Sequence, residues 1–387
     1  MSRAKQEGKG EGRKRLDMGP VDRHAFQLCL PPSHLRPIDE RRAFFIAFHF
    51  LFVLLLSRSI PRYENGRRSP MEMKITGRKI QEAQQRIRPF IHRTPVLTCA
   101  GINAMCGAQL FFKCENFQKA GAFKIRGACN AVFSLSDEEA EKGVATHSSG
   151  NHAAALALAA RWRGIRAHVV MPENAALVKR AAAVGYGAEI VFCKPTLEAR
   201  EEVLSRIVES TGATFIPPYN DLRVMAGQGT VALELVEEIP ELDVVIAPVG
   251  GGGLISGTAI AVSSESPDTI VIGAEPQNAD DAYRSLQSGR IISVENPSTI
   301  ADGLRTSLGS LTFPVIREHV KEIITVSEEN IVKAMRCIWE RMKIIVEPSG
   351  AVPLGAVFSK AEEMPGKRIG LILSGGNVDL GRLPWVR

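Results

Sequence analysis

From about Glu72 onward the chain alternates between two hydrophobic periods. Short β-branched, apolar runs predict strands at Leu110–Glu115, Val144–His147, Ala167–Met171, Glu189–Cys193, Val244–Val249, Ile270–Ala274, Ile323–Val326 and Ile369–Leu373. Runs such as VVIAPV and IGLILS are apolar almost throughout, which suits strands buried on both faces of a parallel sheet. Between these runs the apolar spacing lengthens to that of helices. Asn151–Arg163 is Ala-rich and stops at Gly164, a natural residue for the turn after a helix. Ser136 and Glu139 make a capping box before a short helix. Leu197–Ser210 and Glu328–Arg341 also carry helical spacing. The alternation predicts an α/β protein with right-handed crossovers. There are too many strands for one small sheet, so two open twisted α/β domains are expected, with the active site in the cleft between them.

Residues 1–70 do not share this pattern. They open polar and basic, then carry an apolar run from Ala43 to Leu56 between Arg41–Arg42 and Arg58. That run is shorter than the ~20 residues of a spanning helix, and it lies too far along the chain for an ordinary secretory signal. An organelle-targeting extension, a membrane anchor and a spurious upstream extension of the coding sequence all fit. The last is favoured, because Met71 and Met73 stand where the orderly pattern begins. The leader is therefore expected to be disordered or absent in the working protein.

Charge follows the same division. The 387-residue chain has a net charge of +6, but residues 1–70 hold 14 Lys/Arg and 7 Asp/Glu, which leaves 34 basic and 35 acidic residues in the body. The body is thus not read as a nucleic-acid binder, which needs positive charge on its folded surface. Seven cysteines are scattered singly without metal-ligand spacing, as in a reducing compartment. The expected location is cytoplasmic, with organelle targeting by residues 1–70 left open, and no membrane partner is expected.

Four stretches carry candidate chemistry. In Phe117–Gly127, FQKAGAFKIRG, Lys124 follows a glycine-containing loop and is flanked by Phe123 and Ile125. It fits a surface lysine on an amphipathic helix. It also fits an amine desolvated by apolar neighbours, whose lowered pKa makes it a Schiff-base nucleophile. Ser148–His152, SSGNH, lies between a strand and a helix, where α/β proteins bind ligands and where helix-start N–H groups can hold a carboxylate. A plain N-cap turn would use the same residues. Pro248–Gly253, PVGGGG, follows a buried strand and opens a helix. Its glycine run is costly to order and lacks both nucleotide-loop signatures. It suits a cup for a single phosphate monoester. Ser374 ends the last buried strand in LILSGGNVDL and would face the same cleft.

Taken in order, Lys124 in FKIRG, SSGNH, GGGG at 250–253 and SGGN at 374–377 resemble the fold-type II pyridoxal-phosphate (PLP) enzymes, and within them the serine racemase and threonine/serine dehydratase group. The likeness runs from about Met73 to Leu380. It implies a large PLP-binding domain from 71–145 and 220–387 and a small mobile domain at 146–219. It also implies PLP on Lys124, packed beside Phe123. Gly250, Gly251, Gly252 and Gly253 would hold its phosphate, Ser374 would face the ring nitrogen and Asn151 the ring hydroxyl. Ser149 would be the second acid/base, opposite Lys124. Ser149, Gly150 and Asn151 would lie on the substrate side, and Ser148, His152, Arg200 and Ser307 at substrate-side or domain-closure positions. Glu275, the carbonyl of Ala279 and Asp281 would form a site for Mg²⁺ or Ca²⁺, hard cations that take oxygen ligands. A helix cap with a surface acid is the alternative for the two carboxylates.

The same resemblance implies a homodimer acting on serine or threonine. Cys99, Ala100 and Ala120 stand where nucleotide-responsive members carry hydroxyl residues, so a nucleotide effector is not expected. The segment PPYND at 217–221 looks more like plant or fungal members. The expected activity is interconversion of L- and D-serine together with β-elimination to pyruvate and ammonia. The alternatives are a serine/threonine dehydratase without racemisation and a PLP-binding protein that has lost catalysis.

Overall fold

The computed structural model describes residues 74–385 except 176 and 296, so the expectations for the leader lie outside the described residues. Ten strands form two sheets. The six-stranded sheet has the order β1-β2-β10-β7-β8-β9, from β1 (Val96–Leu97), β2 (Gln109–Cys114), β7 (Val244–Pro248), β8 (Ile270–Pro276), β9 (Glu322–Val326) and β10 (Arg368–Leu373). Only β1 runs antiparallel, to β2; the remaining pairs are parallel. The four-stranded sheet, β5-β4-β3-β6, is parallel throughout. It uses β3 (Val144–His147), β4 (Ala167–Pro172), β5 (Glu189–Cys193) and β6 (Thr214–Phe215).

The continuous apolar runs are buried on both faces, as their composition requires. In β7, Val244 and Ile246 pack into one core while Val245 and Ala247 pack into the core on the other side; Leu371 and Leu373 of β10 face the first and Ile372 the second. One core is closed by Ile338, Val352 and Leu354, the other by Ile80, Met225 and Ile255. The smaller sheet is covered by Leu156 and Ala159 of the helix Asn151–Arg163 and, elsewhere, by Leu204.

All eight expected strands are present within two residues of their bounds. The helix Asn151–Arg163 ends on Gly164 in the left-handed conformation, and the capping box of Ser136 and Glu139 forms in both directions. The two-residue strands β1 and β6 escaped the pattern, because two residues show no period. β3 pairs with β4 along its whole length, so the expected boundary between residues 145 and 146 cuts a strand. β3 as a whole, from Val144, belongs to the four-stranded sheet.

Candidate active site

The loop before Lys124 is joined to the loop after β10. The N–H of Phe123 donates to the carbonyl of Ser374 at 3.0 Å, and that of Gly376 to Gly121 at 2.9 Å. Ala122 bridges Gly375. Lys124 opens the helix Lys124–Phe133, whose first turn is anchored by Arg126. That guanidinium is fully buried, 2.8 Å from Glu115 and 2.7 Å from Glu234, and Glu234 also takes Lys113 at 2.8 Å. Burial opposes the charge on Arg126; Glu115 and Glu234 outweigh it and raise its pKa. The Arg of FKIRG is thus the anchor that sets where Lys124 stands.

The Lys124 amine donates to the carbonyl of Pro218 at 2.8 Å and lies 5.0 Å from the centre of the Phe123 ring. Burial lowers its pKa to about 8, against the pull of Glu347. Above that pH it is a neutral amine, the form that attacks a carbonyl.

SSGNH reaches the same place. Asn151 opens its helix and donates Nδ2 to Glu347 Oε1 at 2.7 Å. Its Oδ1 accepts from Asn377 at 3.0 Å, and Asn377 also donates to the carbonyl of Ala120 at 2.7 Å. Direct hydrogen bonds therefore link the Lys124 loop, Ser374–Asn377 and Asn151. Ser148 Oγ accepts from the N–H of Gly150 at 3.3 Å; Ser149 lies between them, part-buried. His152 is buried, its Nε2 3.0 Å from the carbonyl of Ile216. Burial, with Lys124 nearby, pushes its pKa down to about 3, so it is a neutral ring bonded to the backbone just after β6.

The glycine run is built without room for side chains. Gly252 has φ +89° and precedes the helix Gly253–Glu265; a Cβ there would come within 2.7 Å of Thr312 Oγ1. A Cβ on Gly251 would fall 2.3 Å from the Tyr219 ring, and one on Gly250 3.1 Å from Thr306 Oγ1. Among the described residues, the N–H groups of Gly250, Gly251 and Gly252 meet no protein acceptor.

The remaining predicted residues divide. Arg200 is part-buried, its Nε without a partner. Its charge, after burial, lowers the pKa of His147, which places it near the end of β3. Ser307 Oγ instead accepts from the N–H of Val294 at 3.2 Å, and Thr306 takes the place beside Gly250. Glu275 is buried and accepts from the N–H groups of Tyr283 at 2.6 Å and Ala282 at 3.2 Å. Asp281, also buried, has Oδ2 without a partner. Burial pushes Glu275 up to about 9 and Asp281 to about 7. Among the described residues no three metal-binding side chains cluster, so a cation here would need two carboxylates and the backbone of Ala279.

Residues 87–375 match the family model for pyridoxal-phosphate-dependent enzymes. The chain belongs to this family. It is similar to the β-hydroxyaspartate dehydratase of Paracoccus denitrificans, 54% identical over 78% of this chain and 96% of the relative. It is similar to the serine racemase of Arabidopsis thaliana, 52% identical over 79% and 93%. Among solved structures it resembles maize serine racemase, with TM-score 0.77 and 51% identity over 79% of this chain and 95% of that one. The fold is the fold-type II PLP architecture, and the protein is a PLP-dependent enzyme.

The site fits the cofactor. It offers a desolvated amine, a side-chain-free loop with three unspent N–H donors, and the buried Ser374 beside the Lys124 loop. Tyr219, Thr306, Glu347 and Lys179 also line or brace this region. Tyr219 lay inside the unusual PPYND segment; the others carried no local signal.

Proposed function

We propose that this chain is a PLP-dependent serine racemase that also dehydrates serine to pyruvate and ammonia. The observation that carries the reading is the meeting of the Lys124, Asn151 and Ser374 loops around an amine with a lowered pKa. Bound PLP supplies the electron sink that makes the Cα proton acidic. Lys124 would hold the cofactor, and its amine when free would take the Cα proton from one face. Ser149 returns a proton from the opposite face to give the other enantiomer. Gly250–Gly253 would hold the phosphate with backbone N–H groups, Asn151 would meet the ring oxygen, and Ser374 would give the ring nitrogen an uncharged partner, with Phe123 beside the ring. Loss of the β-hydroxyl as water, followed by hydrolysis, gives pyruvate and ammonia instead.

Gly150, Ser148 and Arg200 receive the substrate carboxylate in this reading, with His152 as a neutral brace beneath the loop. Ser307, whose hydroxyl is taken by Val294, is assigned to closure rather than to substrate contact. The four-stranded sheet is the small mobile domain. Glu275, Asp281 and the Ala279 carbonyl bind Mg²⁺ or Ca²⁺, a role that the orphaned Asp281 oxygen supports. The enzyme works as a cytoplasmic homodimer without a nucleotide effector. No helix among the described residues is long and apolar enough to cross a membrane.

A second reading is a dehydratase for a 3-hydroxy amino acid with a β-carboxylate, favoured by the 54% identity to the Paracoccus dehydratase. Parallel incubation with L-serine and with 3-hydroxyaspartate separates the two. D-serine with pyruvate supports the racemase. Turnover of 3-hydroxyaspartate alone supports the dehydratase, and inertness to both would leave a PLP binder.

A further inference from the structure

Lys179 belongs to the helix Leu177–Gly185, which packs through Ala183 on Ala153 of the helix Asn151–Arg163 and on Val169 and Met171 of β4. Its amine nevertheless ends on carboxylates from the other side. It bonds Asp302 directly and lies 3.8 Å from Glu347 Oε2. Asp302 and Glu347 adjoin Ala301 and Val346, which sit in the core of the six-stranded sheet. The Lys179 and Glu347 side chains are only 9% and 3% exposed. Glu347 completes the path: its other oxygen holds Asn151.

We propose that Lys179, Asp302 and Glu347 form a latch between the two sheets, and that Glu347 is the positioning residue that orients the Asn151 side chain. The inference rests on the reading that Asn151 meets the cofactor ring.

The chemistry is one of orientation. An ionised carboxylate only accepts hydrogen bonds. It therefore draws the Nδ2 end of the Asn151 amide and leaves Oδ1 to Asn377. An amide nitrogen has two N–H donors; Glu347 uses one, and the second is free for a ring oxygen. A protonated Glu347 could donate instead and turn the amide round. Burial pushes Glu347 up to about 7, and Lys179 is the group that most opposes this. Asp302 favours protonation, while Lys124 on the far side favours ionisation. Removing the Lys179 charge would leave a buried carboxylate short of its nearest cation, a costly state. Opening the cleft would do the same, so closure and the Asn151 orientation are linked through one ammonium.

The test compares wild type with K179M, K179R, E347Q and the double variant K179M/E347Q. Three quantities are read: the PLP dissociation constant, the long-wavelength band of the bound cofactor, and hydrogen exchange across residues 177–185. K179M and E347Q should each weaken PLP about tenfold, a coupling of ordinary size for contacting groups. Both should shift the band and speed exchange, and the double variant should be no worse than either single one. K179R should restore affinity and band to within about twofold of wild type. Additive effects would overturn the latch. A K179M protein that melts earlier but keeps wild-type affinity and band would reduce the triad to a structural ion pair. Wild type failing to take up PLP would overturn the reading of Asn151 and this inference with it, and the wild-type arm reports that separately.

Discussion

Lys124 differs from a surface lysine in a measurable way, because burial has lowered its pKa to about 8 against ~10.4 for a free side chain. Below that value the amine is mostly ammonium and cannot attack; above it the neutral form dominates. The rate at which cofactor-free protein takes up PLP should therefore rise through about pH 8 and then level. A rise that continues towards pH 10 would show that the amine is not desolvated. Lys124→Ala should hold no PLP covalently after borohydride treatment and should lose turnover. Ser149 makes a different prediction, since only racemisation and elimination from D-serine need a proton on its face. Ser149→Ala should abolish both, while pyruvate formation from L-serine survives at least in part. General acid–base groups contribute roughly 10²–10⁴-fold, so the split will exceed assay error; unaltered racemisation would remove Ser149 from the mechanism.

Two elements of the site can each be broken alone. Gly252→Ala forces a Cβ into the left-handed region, at a cost of roughly 1–2 kcal/mol, and against Thr312. PLP affinity measured by dialysis should fall while the far-ultraviolet dichroism stays native. Arg126→Met strikes at the start of the Lys124 helix by leaving Glu115 and Glu234 buried without their shared cation. Breaking a buried pair from one side costs roughly 3–5 kcal/mol, so the urea midpoint should drop markedly. A midpoint within error of wild type would mean that the network contributes little. Elements of this kind were the legible part of the sequence. Strands such as VVIAPV announce two buried faces by their composition, and Gly164 and the Ser136–Glu139 box mark helix ends locally. Lys179, Asp302 and Glu347 were not legible, because their partnerships span 123 and 196 positions and no local period encodes them. Ser307 was the converse case: its motif position was recognisable, yet its hydroxyl bonds Val294 and Thr306 faces the glycine run.

At the scale of the whole molecule, the strand–helix alternation implied two sheets and a cleft. It did not assign β3 whole to one sheet, which pairing with β4 does. The Glu275–Asp281 pair tests the large sheet as a unit. A cation bound only by the folded state stabilises it by about 2.7 kcal/mol at a hundredfold excess over its dissociation constant. Chelator should lower the unfolding temperature and Mg²⁺ or Ca²⁺ should restore it; indifference to both would mean that the two carboxylates do without metal. Incubation of the holoenzyme with L-serine in deuterium oxide, following both serine enantiomers and pyruvate together, reads both proton transfers and elimination at once. D-serine carrying deuterium at Cα, with pyruvate alongside, is the predicted result. Pyruvate without D-serine would contradict the two-face assignment, and L-serine recovered unchanged, with no deuterium and no pyruvate, would contradict the account of the site as a serine-transforming centre.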